Sequence, residues 1–265
     1  MRLALVQTAP RMLEPRANLE SALALMEPLA ADVYLLPELC FSGYTFDRKE
    51  EVAATAEPAG EGEVFDALAA FARERQAYVC WGFPERAGER FYNSASLVGP
   101  DGHVGTYRKV HLFSRETLFF SPGDAPAPVY DLPFGRVGLM ICFDWFFPEM
   151  ARSLALRGAE LLLHPANLVL PHCPQAMITR SLENRIFSAT CDRVGTETNG
   201  ATTHRFIGSS QVVSPRGELL ARLGREQQET AVVEFDLATA RSKRLGEYND
   251  LFGDRRPNFY ALASR

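Results

Sequence analysis

The stretch "RVGLMICFDWFFPEMARSLALRGAELLLHPAN", residues 136–167, changes its hydrophobic period twice. Its first seven residues are an apolar strand. Pro148 suits the first turn of a helix that runs to Gly158, and residues 159–166 are apolar again on both faces. Strand, helix, strand in so short a span is a parallel βαβ unit, and strands apolar on both faces need cover on both sides. The same pattern is written near the N-terminus. "RLALVQ" (2–7) is followed by apolar residues at helical spacing (15–30) and then by "DVYLLPE" (32–38). A second helix over 61–76 leads into strands at 77–83 and 93–110, with Asp101-Gly102 as a hairpin turn, so parallel pairing gives way to a meander. Beyond residue 167 the pattern predicts a helix over 173–187 and strands at 188–195, 207–215, 216–223 and 230–237. Two similar halves, each a sheet clad with helices, predict an α/β fold of four layers, an α-β-β-α sandwich.

The chain has 265 residues, 46% hydrophobic and 23% charged, enough for a large core, and is expected to form one domain over 1–265. The tail "RLGEYNDLFGDRRPNFYALASR" mixes aromatics and charges without a period. From about residue 248 it is expected to be a C-terminal extension that packs on another surface. Lysine and arginine number 28 against 33 acids, a net charge of −5, which provides no basic field for nucleic acid. The N-terminal apolar run is too short for a secretory signal and nothing reaches membrane-span length, so a soluble cytoplasmic protein without a membrane partner is expected. Five scattered cysteines, an odd number without a CxxC pair, argue against disulfides and a zinc site.

Cys142 ends the strand that opens the quoted stretch. A lone cysteine in a strand is ordinarily a small buried hydrophobe, but open α/β sheets place their sites at the carboxyl ends of strands. There a thiol faces a cleft beside helix-terminal N–H groups, which favour a thiolate and can bind an oxyanion. None of the five histidines sits in a Cys/His protease signature, and His164 reads equally as a satisfied core residue. A carboxylate is the other available base. Glu38 in "LLPELCFSGY" follows a buried-looking strand, where a charge is costly unless paired or used, although a solvated or capping glutamate is the plain alternative. Lys109 in "YRKVHLF" also ends a strand, ordinarily a solvated flank.

In order and spacing, "LLPELCFSGY", "YRKVHLF", "RETLFFSPGD" and "GLMICFDWFFPEMARSLALRGAELLLHPAN" resemble the motif blocks of the nitrilase superfamily of carbon–nitrogen hydrolases. "SLENRIF", "DRVG", "GSSQVVSPRGELL" and "DRRPNFY" extend the likeness over nearly the whole chain. The resemblance implies the α-β-β-α sandwich, an enzyme, and a Glu-Lys-Cys set at Glu38, Lys109 and Cys142, with Glu116 as a second glutamate. That glutamate would orient Lys109 or the substrate nitrogen; its plain alternative is a carboxylate in the first turn of a helix. The resemblance also implies chemistry without metal or cofactor, and assembly into a homodimer or larger homo-oligomer. Phe143, through its backbone N–H, Trp145 and Asn167 are the candidate substrate contacts, against packing for the aromatics and turn formation for the asparagine.

The substrate implied is a small amide or N-carbamoyl compound, split to release ammonia through a cysteine thioester. Many nitrilases read Cys-Trp-Glu at the nucleophile. Here Cys142-Phe143-Asp144 leans to the amide and carbamoyl branch, while the likeness to archaeal nitrilase-like members keeps a small nitrile as the alternative substrate. A silent binding or scaffold relative is the reading from another class, and the complete Glu-Lys-Cys set argues against it.

Overall fold

Alternation along the strands builds the layers of this computed structural model, which describes residues 1–260; the last five residues of the expected extension lie outside it. In β1 (Arg2–Gln7), Leu3 and Leu5 point one way and Ala4 and Val6 the other, as the two-residue period of a strand requires. Ala4 and Val6 pack with Leu19, Ala22 and Met26 of α1 (Pro15–Met26) and with Leu68, Phe71 and Ala72 of α3 (Glu63–Arg75). Leu3 and Leu5 join Val33 and Leu35 of β2 (Val33–Leu35) in a second core, shared with Leu139 of β7 (Gly135–Leu139) and Leu161 to Leu163 of β8 (Leu161–Pro165). Met150, Ala151 and Leu154 of α5 (Pro148–Leu156) and Met177 of α6 (Cys173–Asn184) close that core from outside. Helices, sheet, sheet, helices is the expected four-layer order. Among the described residues no helix is long and apolar enough to cross a membrane.

Each of the two facing sheets has six strands, three of them in a parallel run. In the first the order is β14 (Glu229–Glu234), β1, β2, β3 (Tyr78–Ala87), β4 (Arg90–Gly99), β5 (Gly102–Arg108); β1, β2 and β3 run parallel and the others antiparallel to their neighbours. In the second it is β13 (Leu219–Arg222), β12 (Gln211–Val213), β9 (Phe187–Cys191), β8, β7, β6 (Val129–Leu132), with β7, β8 and β9 parallel. Both βαβ units and the meander stand where the periodicity placed them.

Several boundaries differ from expectation: the strand expected over 207–215 is only Gln211–Val213, the helix expected to reach 187 ends at Asn184, and two other strands change more. The strand expected to stop at Phe83 continues to Ala87 and turns at Gly88 into β4. Pro84 and the charged run after it read as loop, but Glu85 is buried in an ion pair with Arg108 (2.5 Å) and accepts the Ser94 hydroxyl (2.7 Å). The strand expected over 188–195 breaks after Cys191. Asp192 turns to accept the Leu168 N–H (2.7 Å), and Arg193 reaches Glu197 (2.7 Å) and the Pro10 carbonyl (2.8 Å). Val194 therefore starts a separate hairpin of β10 (Val194–Asn199) and β11 (Thr202–Ile207). A missed short helix, α2 (Lys49–Thr55), precedes α3. The tail is only partly packed: Phe252 meets the core with the Arg152 guanidinium 5.3 Å from its ring centre, while Tyr248 and Phe259 are 85% and 71% exposed.

Candidate active site

Strand direction brings the candidate residues together. Glu38 follows β2, Lys109 follows β5, Cys142 follows β7 and Asn167 follows β8. The two antiparallel steps from β3 to β5 turn β5 parallel to the centre of its sheet, so its end opens on the same edge. A separate one-turn helix, α4 (Glu116–Phe119), brings Glu116 beside them. Glu38 and Lys109 are fully buried, and Glu116 and Cys142 are 5% exposed.

Lys109 Nζ lies between two carboxylates, 2.6 Å from Glu38 Oε1 and 2.8 Å from Glu116 Oε1. The Asn93 amide donates to Glu38 Oε1 (2.7 Å), the Tyr44 hydroxyl to Glu116 Oε1 (2.8 Å) and the Phe113 N–H to Glu116 Oε2 (3.2 Å). That leaves Glu38 Oε2 buried without a hydrogen-bond partner in the protein, although carboxylate oxygens at such depth are nearly always satisfied. Burial opposes the Lys109 charge, but the two carboxylates outweigh it and hold the ammonium above its ordinary range. Burial raises Glu116, and Lys109 counteracts it. The thiol departs from expectation. Burial and the Glu38 charge push Cys142 well above the usual thiol value, with Lys109 only partly opposing, so helix-terminal N–H groups do not make a standing thiolate here. Ionising this sulfur requires a base.

Cys142 itself has φ +38°, in the left-handed region that costs a non-glycine residue about 1 to 3 kcal/mol. A short 3-10 helix (Cys142–Phe146) begins there, and its first N–H groups, Phe143's included, have no intrahelical acceptor. The strained turn is held from below. Asp144, fully buried, accepts the Ile141 N–H (2.9 Å), the Tyr107 hydroxyl (2.8 Å) and His111 Nδ1 (2.8 Å). Its carboxylate supports the turn and is not among the groups that line the neighbouring cavity. His164 Nε2 lies 2.9 Å from the Cys142 carbonyl and Nδ1 3.0 Å from the Thr190 hydroxyl, the satisfied core histidine of the plain reading. Burial pushes it down to about 4, so it is neutral and donates to the carbonyl.

Beside the thiol a cavity opens between the rings of Phe113, Phe143, Trp145 and Phe146 and residues 167–170. The Cys142 sulfur contacts the Asn167 carbonyl at 3.7 Å, and the Asn167 side chain is buried with neither amide atom bonded.

A model of the carbon-nitrogen hydrolase family matches residues 2–245. The chain belongs to the carbon-nitrogen hydrolase family. It is 46% identical to a nitrilase of Pyrococcus abyssi, over 98% of this chain and 99% of that one. To an (R)-stereoselective amidase of a Pseudomonas species it is 37% identical, over 97% and 92%. An amidase from Nesterenkonia superposes with a TM-score of 0.80 at 30% identity, covering 97% of this chain and 94% of that one, and in one of its structures acrylamide has added to the active-site cysteine.

This carbon-nitrogen hydrolase brings Glu38, Lys109, Glu116 and Cys142 into one buried cluster, with Phe143, Trp145 and Asn167 in the adjoining cavity. Glu116 is both a first-turn carboxylate and a partner of Lys109. Sequence reasoning missed Asn93 and Tyr44, and read Asp144 only as a mark of the substrate branch, not as the support of the turn. Asn93 carried a signal, since an amide inside a strand is disfavoured unless its side chain is used. Tyr44 carried none, because its role depends on a link across the molecule: Glu197 accepts the Tyr44 and Thr45 N–H groups (2.8 and 2.6 Å) and pairs with the buried Arg193.

Proposed function

We propose that the chain hydrolyses the carbon–nitrogen bond of a small amide or N-carbamoyl compound through a thioester on Cys142. The observation that carries this reading is the wiring of Glu38: one oxygen is tied to Lys109 and Asn93, the other is buried and unbonded near a thiol whose ionisation burial opposes. Glu38 takes the thiol proton as Cys142 attacks the carbonyl carbon. The Lys109 ammonium and the Phe143 N–H hold the developing oxyanion, and Glu116 with Tyr44 fixes Lys109. Glu38 then gives its proton to the departing nitrogen, ammonia leaves, and a water deprotonated by the same carboxylate cleaves the thioester to the acid. The net reaction is amide plus water to acid plus ammonia.

A second reading, hydrolysis of a small nitrile, is favoured by the 46% identity to the Pyrococcus abyssi nitrilase. An amide presents an oxygen that Lys109 and the Phe143 N–H can hold at once, whereas a nitrile nitrogen has to be protonated during attack. Ammonia release from a panel of small amides, N-carbamoyl amines and nitriles tests the proposal. It expects a simple aliphatic amide to exceed its matching nitrile in kcat/KM; equality or the reverse order would transfer the assignment to nitrile hydrolysis.

A further inference from the structure

We infer that the cavity beside Cys142 is an acyl pocket for a short, uncharged acyl chain carrying one hydrogen-bonding group near the reacting carbon, with Asn167 as the residue that selects for it. The inference rests on the amide reading above and adds the class of amide. Glu38, Lys109 and Glu116 do not line this cavity, whereas Cys142 does. A primary amide loses only ammonia, so the space takes the acyl side. Its walls are four aromatic rings and the aliphatic residues 168–170, and no charged side chain lines it among the described residues. An ammonium or carboxylate on a short acyl chain would be desolvated there without a counter-charge.

The one polar side chain in this wall is Asn167. Residue 167 is 2% exposed, and both Oδ1 and Nδ2 are buried without a partner in the protein. Turn formation does not explain it, since a turn asparagine bonds its own backbone. Its backbone carbonyl lies 3.7 Å from the Cys142 sulfur, so residue 167 stands next to the position of an acyl group bound to that sulfur. A hydroxyl there offers the donor and the acceptor that the amide lacks. On the side away from the catalytic cluster, the hollow that adjoins Val169 is lined by Arg205, Arg225 and Glu226, with Arg205 3.4 Å from Glu226 at the open surface.

The test compares kcat/KM for matched neutral amides. 2-Hydroxypropanamide and 2-methylpropanamide differ by a hydroxyl in place of a methyl, and the hydroxyl compound should be favoured by about 5- to 100-fold. In Asn167→Leu that ratio should fall to one or below. On the unmodified enzyme, 3-aminopropanamide and 4-amino-4-oxobutanoate should be at least about 100-fold poorer than butanamide, the charge having no partner. A hydroxyl-to-methyl ratio unchanged in Asn167→Leu, or charged amides turned over as fast as butanamide, would overturn the inference. If nitriles react and amides do not, the amide reading fails by itself. The ratio for 2-hydroxypropanenitrile over 2-methylpropanenitrile, in both forms of the enzyme, then decides the pocket by the same criterion.

Discussion

A lysine buried between two carboxylates is stable only as a set, because removing the ammonium leaves two like charges in a medium that solvates neither. Lys109→Ala should therefore lower kcat/KM by about 10² to 10³ through loss of an oxyanion donor, and a thermal melt should show a less stable protein. Alkylation tests the neighbouring thiol. Cys142 is 5% exposed and adjoins the cavity, while Cys40, Cys80, Cys173 and Cys191 are at most 1% exposed. Mass spectrometry after limited iodoacetamide treatment should find one adduct, at Cys142, and chief labelling at Cys40 or Cys173 would contradict the assignment. His164 gives a pH signature. Its proton is bound less well in the folded chain (about 4) than in the unfolded chain (6.5), so its contribution is complete above pH 6.5 and is lost as the pH falls towards 4. The loss is worth about 3 kcal/mol. Unfolding free energies from urea titrations at pH 7.5 and 4.5 should show an acid-induced drop that is about 2 kcal/mol smaller in His164→Asn than in the parent.

Elements reach the site through close backbone approach. β2 is only three residues long, and the turn that carries Glu38 lies directly over Gly82 of β3: Gly82 donates to the Pro37 carbonyl (3.0 Å) and accepts the Cys40 N–H (3.2 Å). A Cβ on Gly82 would stand 2.4 Å from Glu38 Cα, contact that only backbone movement relieves. Gly82→Ala should therefore lower stability by about 1 to 3 kcal/mol and kcat/KM by at least about tenfold, because the base moves away from the thiol. Denaturant titration and steady-state kinetics on the same preparation check both. A stability loss with undiminished kcat/KM would show that the turn over β3 does not position Glu38. The Cys142 turn is held comparably, its left-handed residue stabilised by Asp144 below and by His164 at its carbonyl.

At the scale of the whole molecule the tail leaves apolar surface uncovered. Leu245, Tyr248, Phe259 and Tyr260 are more than half exposed, and Leu245 and Tyr260 border a hollow with Arg152 of α5. Lys243 donates to the Arg185 carbonyl at the end of α6, so the tail and the two outer helices, with exposed Leu156 and Leu182, form one surface. Solvated apolar area of this kind is characteristic of interfaces. Light scattering is expected to give a dimer or larger homo-oligomer for the intact chain and a smaller species for a chain truncated before Tyr248. A monodisperse monomer of the intact chain at micromolar concentration would count against assembly through this surface.

Periodicity by itself determined the two βαβ halves and their layers, because the pattern of apolar residues along a strand or helix states which faces must be buried. It also put Glu38, Lys109, Cys142 and Asn167 at strand ends, since a charged or reactive residue after an apolar run marks where the run stops. The break after Cys191 and the continuation through Glu85 were not legible, because each depends on a partner distant in sequence: Leu168 and Pro10 for the first, Arg108 for the second. How strongly the thiol holds its proton was not legible for a similar reason. Position in a turn suggests stabilising N–H groups, whereas the dominant effects, burial and the Glu38 charge, exist only once two sheets close over the site. Tertiary structure alone decided that Tyr44 should hold Glu116 and that Glu197 should hold Tyr44, because hydrogen bonds act over about 3 Å and these residues are 72 and 153 positions apart in the chain.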